Sequence, residues 1–320
     1  MSRFVHIRTK ETYVPGSCLV VYYSTGSLFK NWRSYTKMKF QDIQDNPVPR
    51  IHRNIARLPE LDMFYLDTQT PGPVIVCLHG RWGRAETWID FMEHYGNQYR
   101  IIAPDQRGHG LSGKPVSKYT AEEMAADVAA LLDYLNITKV ILVGHSMGGQ
   151  VAGYTAARYP SYIQALAILD KSPAGPEQRS NLQLEQMDLS DPVTRDWPLP
   201  FSSLKEAMFC IRQATDSDLS YQYFMNSLTE TAEGYQMLFS PQAMGANIAY
   251  NMDWYHLLPD IKCRTLIIRA KNSEAVPDKA LFKMKKLLAK CSDFEMSHPN
   301  HNVHLSNPAE FYACFDPFLT

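Results

Sequence analysis

A serine between two glycines is the strongest chemical signal in this chain of 320 residues. Residues 140–149, VILVGHSMGG, run from an apolar segment through Gly-x-Ser-x-Gly into a segment with helical character. A serine on so sharp a turn needs small residues two positions before and after it, and its hydroxyl then stands exposed in strained geometry. The following helix points its N-terminus at any negative charge that develops there, and the Met147 amide becomes one donor. This pattern predicts Ser146 as a nucleophile in acyl transfer.

A second glycine turn ends an earlier apolar run. Residues 78–83, LHGRWG, close the run that begins at Val74. Acyl transfer needs a second backbone donor opposite the serine, and a His-Gly turn at this place can supply it. We expect the Arg81 amide to be that donor, completing an oxyanion hole with Met147. We also expect Trp82 and His145, which neighbour the two turns, to line a substrate pocket.

Short apolar runs alternate with longer amphipathic segments from about residue 50 onward. The short runs are apolar at consecutive positions and are bounded by Gly, Pro or Asp, which is typical of strands buried on both faces of a parallel sheet. Strand–helix alternation at this spacing predicts an α/β fold with a mostly parallel, twisted sheet flanked by helices. The predicted strands are 74–78, 100–103, 140–143, 165–169 and 265–269, and the predicted helices are 121–135 (opened by a capping box), 147–159, 278–290 and 308–318.

Two segments depart from this alternation. Residues 174–250 show no clear strands and are predicted to form a helical cap, inserted into an α/β core of residues 49–173 and 251–320. Residues 1–48 are interpreted as an N-terminal extension of uncertain order. Aromatic and methionine side chains of the cap suggest an apolar cavity, although such residues also serve plain packing. They are Met208, Phe209, Tyr221, Tyr223, Phe224, Met225, Tyr235, Met237 and Phe239.

Residues 104–112, PDQRGHGLS, supply a third motif. Together with the serine turn and the His-Gly turn, it resembles the α/β-hydrolase fold superfamily over roughly residues 50–320, in the form of a serine esterase or lactonase with a cap. The resemblance implies that Asp105, Arg107 and His109 brace the loop that follows the fourth strand. The serine argues against relatives with an aspartate at this position, namely epoxide hydrolases and haloalkane dehalogenases.

The resemblance also implies a base. Residues 297–311 are similar to the family's GHxxHL…PxxF tail, which makes His301 the base and His304 a supporting residue. Asn300 stands where glycine is usual, and asparagine tolerates a left-handed backbone. Taken alone, His298, His301 and His304 could suggest a metal site, but no HExxH helix or obvious carboxylate partner accompanies them, so we expect no metal. The acyl-transfer mechanism implied by these residues needs no cofactor.

The acid that completes the set has two candidates. Residues 270–277 resemble the family's RGxxSD turn with Glu274 in the place of aspartate. Asp170 follows the preceding predicted strand, where some members of the fold place their acid. We favour Glu274 and keep Asp170 as the alternative.

Composition excludes several other classes of protein. The chain has 32 Lys+Arg against 33 Asp+Glu and no basic block, which argues against a nucleic-acid or anionic-membrane binder. Its 45% hydrophobic and 20% charged residues are ordinary for a globular protein. The six cysteines are scattered without a CxxC pair, which argues against a disulfide framework. No secretory segment or membrane span is recognisable, so we expect a cytoplasmic protein, and a homodimer is left open.

These features together predict a serine hydrolase that cleaves a carboxylic ester or lactone of a small to medium, hydrophobic molecule through an acyl-enzyme. A carbon–carbon bond hydrolase of a diketone-type substrate, or a thioester hydrolase, would use the same residues. A small-molecule receptor built on a hydrolase fold, with slow turnover, is the alternative from a different class.

Overall fold

A sheet of eight strands forms the centre of the fold. The computed structural model describes residues 48–175 and 191–320. Their strands are β1 His52–Arg57, β2 Asp62–Asp67, β3 Val74–Leu78, β4 Arg100–Pro104, β5 Val140–His145, β6 Ile163–Leu169, β7 Leu228–Thr231, β8 Gly234–Met237, β9 Arg264–Arg269 and β10 Cys291–Glu295. The sheet has the order β1-β2-β4-β3-β5-β6-β9-β10. Strand β2 runs antiparallel to both of its neighbours, and the other pairs are parallel.

Helices connect these strands. In the described residues they are α1 Ile89–Tyr95, α2 Ala121–Tyr134, α3 Met147–Arg158, α4 Leu204–Gln213, α5 Asp218–Met225, α6 Pro241–Ala249, α7 Asp278–Leu287, α8 Val303–Ser306 and α9 Pro308–Leu319. The predicted capping box of α2 is confirmed, because Thr120 and Glu123 each accept the other's amide. Helix α7 ends earlier than predicted, because Leu288 adopts an extended backbone and buries its side chain.

Helices cover both faces of the sheet. Neighbouring strand residues point to opposite faces, so Val76 and Leu78 join the core beneath α2 and α3, whereas Ile75 and Cys77 join the core beneath α1 and α9. Burial on both faces explains why the central strands are apolar at consecutive positions. The predicted α/β fold with a mostly parallel sheet is confirmed.

Three strands of the sheet lie outside the predicted set. β1 (HRNIAR) and β10 (CSDFE) are the edge strands, and their polar, partly exposed residues give no continuous apolar run. β2 is apolar only over four residues and pairs antiparallel, so it has no place in a strand–helix–strand alternation. The five predicted strands are confirmed, each within two residues of its predicted ends.

The carboxyl ends of the central strands meet at one edge of the sheet. Leu78, which ends β3, is level with Gly144 in β5. The residue after β5 is Ser146, whose amide donates to the carbonyl of Leu169 at the end of β6 (2.9 Å). The residue after β6 is Asp170. Ligands of α/β sheets bind at this edge, and the fold therefore assembles the candidate residues there.

The chain between β6 and β9 contributes a segment, residues 191–250, that we call the insert. It contains α4, α5, α6 and the antiparallel hairpin β7–β8, and it supplies most of a small apolar cluster that also includes Tyr119. The prediction that residues 174–250 hold no strands is therefore wrong. The hairpin forms because Gly234 adopts a φ of 130°, which residues with a side chain rarely take. Val48–Thr320 forms one compact unit, and the division into a core and a cap stays a prediction.

Residues 1–47 and 176–190 lie outside the described part of the chain. The predicted N-terminal extension falls there except for residue 48. No helix within residues 48–175 and 191–320 combines the length and apolarity that are needed to cross a bilayer.

Candidate active site

Ser146 lies on a strained turn between β5 and α3. Its φ of 52° and ψ of −118° fall outside the ordinary regions for a residue with a side chain, at a cost of about 1–3 kcal/mol. A Cβ atom on Gly144 would collide with the carbonyl of Gly148, and one on Gly148 would lie 2.6 Å from the carbonyl oxygen of His79. Both flanking glycines are therefore imposed by backbone contacts, and the predicted turn is confirmed.

Two backbone amides near this turn are available as donors. Met147 is the first residue of α3, and the first amides of a helix have no acceptor within it. Arg81 follows the His-Gly turn, which is closed by a hydrogen bond from the Gly83 amide to the Gly80 carbonyl (3.1 Å). Across the described residues, neither the Met147 nor the Arg81 amide donates to another backbone group. The positive end of α3 adds a field that favours negative charge at this point.

His301 is paired with Asp170. The ring nitrogen Nδ1 of His301 donates to Oδ2 of Asp170 at 2.7 Å, and Oδ1 of Asp170 accepts the Ala270 amide at 2.9 Å. The Asp170 side chain is 2% exposed and that of His301 is 45% exposed. A buried carboxylate with both oxygens engaged fixes the orientation and tautomer of the imidazole. The opposite nitrogen, Nε2, is then free to exchange a proton.

The preference for Glu274 as the partner of His301 is corrected by this geometry. Glu274 is exposed in the loop between β9 and α7, on the rim of a surface depression that also reaches His301. Asp170, the alternative acid, makes the contact instead. Asp170 directly follows β6 and has a φ of 48°, an unusual value for a residue with a side chain. In this conformation its carboxylate contacts the imidazole of His301.

The loop that carries His301 is held in place by two contacts. Nε2 of His145 donates to the carbonyl of His301 at 2.9 Å, and the Asn302 amide donates to Oδ1 of Asn300 at 2.8 Å. Asn300 is not among the residues with positive φ, so the expected left-handed backbone is not what sustains this turn. The asparagine side chain replaces the missing glycine by capping the turn instead.

Burial distinguishes His301 from the imidazoles around it. Burial lowers the pKa of His79 to about 4 and that of His304 to about 3, and it keeps the pKa of His145 well below its ordinary value. These three rings are therefore neutral at pH 7. His304 stacks on Trp88 with ring centres 4.4 Å apart, in agreement with the supporting role expected of it. His301 is the exposed member of this group.

Ser146 and His301 line one cavity of about 240 Å³. This volume is below the roughly 300–1,000 Å³ of most small-molecule sites, which suits a short acyl group. No hydrogen bond joins the Ser146 hydroxyl to His301 in the described structure, and such bonds often tighten only when substrate binds. Trp82 and His145 lie in the cavity wall as predicted, together with Ser220, Tyr223 and Phe224 of the insert.

The insert binds the loop that holds the Arg81 amide. The Arg81 guanidinium donates to Oδ1 of Asn247 (3.0 Å), and the Trp82 indole donates to Oδ2 of Asp191 (3.0 Å). Sequence reasoning missed Asn247, Asp191 and Ser220, because no motif marks them and their positions depend on how the insert docks. Tyr223 and Phe224 belong to the apolar set predicted for the cap, but the pattern gave them no position.

The loop after β4 supports the site without entering the cavity wall. The Asp105 carboxylate accepts the amides of Ala85 (2.6 Å) and Leu111 (2.7 Å). Arg107 donates two hydrogen bonds to buried Asp127. His109 packs on the His79 ring at 4.8 Å between centres. The bracing expected of Asp105, Arg107 and His109 is confirmed.

The three histidines of the C-terminal tail do not converge on a common point. His298 accepts the Asn300 amide, His301 binds Asp170, and His304 packs on Trp88. Within the described ranges, no group of three or more His, Cys, Asp or Glu side chains is arranged to hold a metal ion.

Lys171 is a partly buried cation that directly follows Asp170 in the chain. Its Cβ lies 3.2 Å from the position that a Cβ would take on Gly149, in the first turn of α3. Burial, followed by the nearby charge of Arg81, lowers the pKa of Lys171 to about 8. No salt bridge to Lys171 exists among the ion pairs of the described residues. Arg81 lines the cavity and feels the opposite charge of Asp191, whereas Lys171 is not among the residues of the cavity wall.

Lys171→Met is expected to stabilise the protein at pH 7. The pKa of Lys171 falls from an ordinary 10.5 to about 8, which corresponds to roughly 3 kcal/mol of unfavourable free energy while the amine is protonated in both states. This unfavourable contribution to the free energy of folding has its full value below pH 8, declines as the pH rises, and is absent above about pH 10.5. Urea unfolding of both proteins from pH 7 to 10.5 measures it, with exposed Lys279→Met as control. A difference in unfolding free energy between Lys171→Met and the wild type that does not change with pH would contradict the lowered pKa of Lys171.

Comparison with known proteins agrees with this architecture. Residues 73–308 match the family described as alpha/beta hydrolase fold. A Haemophilus influenzae protein named as a candidate esterase/lipase is 27% identical over 252 residues, covering 77% of this chain and 83% of its own. A 2-hydroxy-6-oxononadienedioate/2-hydroxy-6-oxononatrienedioate hydrolase of Burkholderia vietnamiensis is 28% identical over 223 residues, covering 68% and 77%. The crystal structure of E-2-(acetamidomethylene)succinate hydrolase superposes with a TM-score of 0.71 at 23% identity, covering 84% of this chain and 99% of that one.

The fold and the site together define a hydrolase-type α/β protein with a serine on the turn after its fifth strand. The family match spans well over half of the chain, and the protein belongs to the alpha/beta hydrolase family.

Proposed function

We propose that the protein is a serine hydrolase that cleaves a carboxylic ester or lactone of a small to medium molecule through an acyl-enzyme. The observation that carries this proposal is the meeting of strained Ser146 and Asp170-bound His301 at one cavity. The amides of Arg81 and Met147, which donate to no other backbone group within the described residues, support it, because an oxyanion needs such donors.

The first half of the reaction transfers the acyl group to the enzyme. The Ser146 oxygen bonds to the carbonyl carbon while its proton passes to Nε2 of His301. The electron pair of the carbonyl double bond moves onto oxygen, where the amides of Arg81 and Met147 bind it. Asp170 offsets the charge of the imidazolium. When the double bond re-forms, the leaving alkoxide departs with the proton from His301.

The second half releases the acid. Water gives a proton to Nε2 of His301 and attacks the acyl carbon, and Ser146 leaves with that proton. Neither half requires a cofactor, since every proton moves between His301 and an oxygen atom.

Fluorophosphonate labelling of the purified protein tests the nucleophile directly. We expect one covalent adduct per chain, mapped by mass spectrometry to Ser146, because this reagent reacts with activated serines. Heat-unfolded protein is the control and should remain unlabelled. Absence of labelling in well-folded protein would contradict the proposal and would favour the receptor alternative.

A carbon–carbon bond hydrolase is the second candidate. The Burkholderia vietnamiensis relative is named for the hydrolysis of a dioate, and Arg81, a cationic residue of the cavity wall, would suit a carboxylate on the substrate. The same nucleophile and base would serve it. Comparing kcat/KM for p-nitrophenyl acetate and for a 2-hydroxy-6-oxo dienoic acid separates the two. A higher kcat/KM for the ester supports the first candidate, and a higher kcat/KM for the dienoic acid supports the second.

A further inference from the structure

The Tyr223 hydroxyl reaches from the insert to residues 79–84, the loop that carries the Arg81 amide and that we call the oxyanion loop. Tyr223 lies in the middle of α5 and is 6% exposed. Its hydroxyl oxygen is 3.0 Å from the position that a Cβ would take on Gly80, and a Cβ on Gly83 would collide with it. Gly80 and Gly83 have no Cβ atom, and they therefore leave room for this hydroxyl.

This hydroxyl has no hydrogen-bond partner of ordinary geometry in the described structure. Burial raises the pKa of Tyr223, and the neighbouring Gly80 amide offsets part of that effect, so the group stays protonated at neutral pH. A buried hydroxyl without a partner is unfavourable, and buried polar groups nearly always have one. Tyr223 lines the cavity that contains Ser146, so a polar atom of a bound molecule can become that partner.

Two hydrogen bonds fix the end of α5 against the oxyanion loop. The Ser227 hydroxyl donates to the carbonyl of Trp82 at 2.6 Å, and Nε of Arg84 donates to the carbonyl of Asn226 at 2.6 Å. Both contacts join residues just after α5 to the loop that carries the Arg81 amide. The hydroxyl is therefore held in position before substrate arrives, as a donor to a transition state must be.

We propose that the Tyr223 hydroxyl donates a hydrogen bond to the acyl oxygen of the substrate, as a third donor beside the amides of Arg81 and Met147. The proposal rests on the serine hydrolase function. The hydroxyl keeps its proton throughout, and the bond strengthens as the carbonyl electrons move onto oxygen in the tetrahedral intermediate. The insert thus contributes a catalytic residue to the site.

Tyr223→Phe tests this role. We expect kcat for p-nitrophenyl acetate to fall about 10²-fold with KM little changed, because one oxyanion donor is typically worth 10²–10³ in kcat. The Tm should stay the same or rise, since the variant removes a buried hydroxyl that has no partner of ordinary geometry within the described residues. A boronic acid, which forms a tetrahedral adduct on serine, should bind the variant more weakly. Tyr221→Phe, on the same helix with the Arg212 guanidinium over its ring, is the matched control and should keep wild-type kinetics.

The outcomes separate this proposal from the function on which it rests. If the wild-type protein hydrolyses the ester and Tyr223→Phe does so at the same rate, the role of Tyr223 is refuted and the hydrolase function stands. A kcat loss that comes with a lowered Tm and a raised KM would mean that the hydroxyl is structural. If the wild-type protein neither hydrolyses esters nor reacts with fluorophosphonate, both proposals fail together.

Discussion

Ser146→Ala is expected to lower kcat for a p-nitrophenyl ester by at least about 10⁴-fold while leaving the fold intact. In the proposed mechanism the variant lacks the atom that forms the acyl-enzyme, and the remaining amides and imidazole can only assist direct attack by water. Alanine fits the same turn, so we expect the free energy of unfolding to change by less than about 1 kcal/mol. Steady-state kinetics on protein checked by circular dichroism measures both quantities.

Ser220→Ala is the matched control for this experiment. Ser220 lines the same cavity from α5, but its hydroxyl donates to Asp216, and no hydrogen bond to an imidazole is present at it in the described structure. The control should retain kcat within about twofold, in line with an ordinary polar substitution. Wild-type turnover by Ser146→Ala would remove the serine from the mechanism altogether.

The turn that carries Ser146 could be predicted because its requirements are local. Gly144 and Gly148 are imposed by backbone carbonyls only a few ångströms away, and the strand before and the helix after are visible as an apolar run and a helical pattern. The central strands follow in the same way from burial on both faces. In each case the contacts that require a particular residue type come from the same segment or from the adjacent strand of the sheet.

The carboxylate that contacts His301 could not be chosen from the sequence for a geometric reason. Asp170 and Glu274 follow β6 and β9, which are neighbouring parallel strands, so both carboxylates start from the same edge of the sheet. Which of them reaches His301 depends on a positive φ at Asp170 and on a hydrogen bond from the Ala270 amide. Neither property is encoded in the residue types, since both loops contain plausible turn residues.

The position of Tyr223 is a further property that sequence patterns cannot supply. Helical spacing predicts that aromatic residues of the insert are buried, but it does not say against which surface. The answer depends on contacts far apart in the chain, such as Ser227 with Trp82 and Arg81 with Asn247. Side chains that join the insert to the sheet are therefore the part of the site that only the structure reveals.

Asp170→Asn is expected to lower kcat about 10³–10⁴-fold, whereas Glu274→Gln should leave kcat within about twofold. The asparagine keeps the shape of the side chain but presents an N–H to Nδ1 of His301, which forces the proton of a neutral ring onto Nε2 and leaves no acceptor for the Ser146 proton. Exposed Glu274 has no such contact. Kinetics of both variants with the same ester, together with their Tm values, measure the comparison. A large loss of kcat in Glu274→Gln, together with near wild-type kcat in Asp170→Asn, would mean that Glu274 is the acid.

Combining substitutions then tests whether Asp170 acts through the serine and the imidazole. If the three groups work as one unit, Asp170→Asn should cost almost nothing once Ser146 is alanine, because the proton that His301 must accept no longer exists. The double variant is therefore expected to have the same residual rate as Ser146→Ala alone. An additional loss of 10³-fold in the double variant would show that Asp170 supports the site in another way, for example by holding the Ala270 turn through its second oxygen.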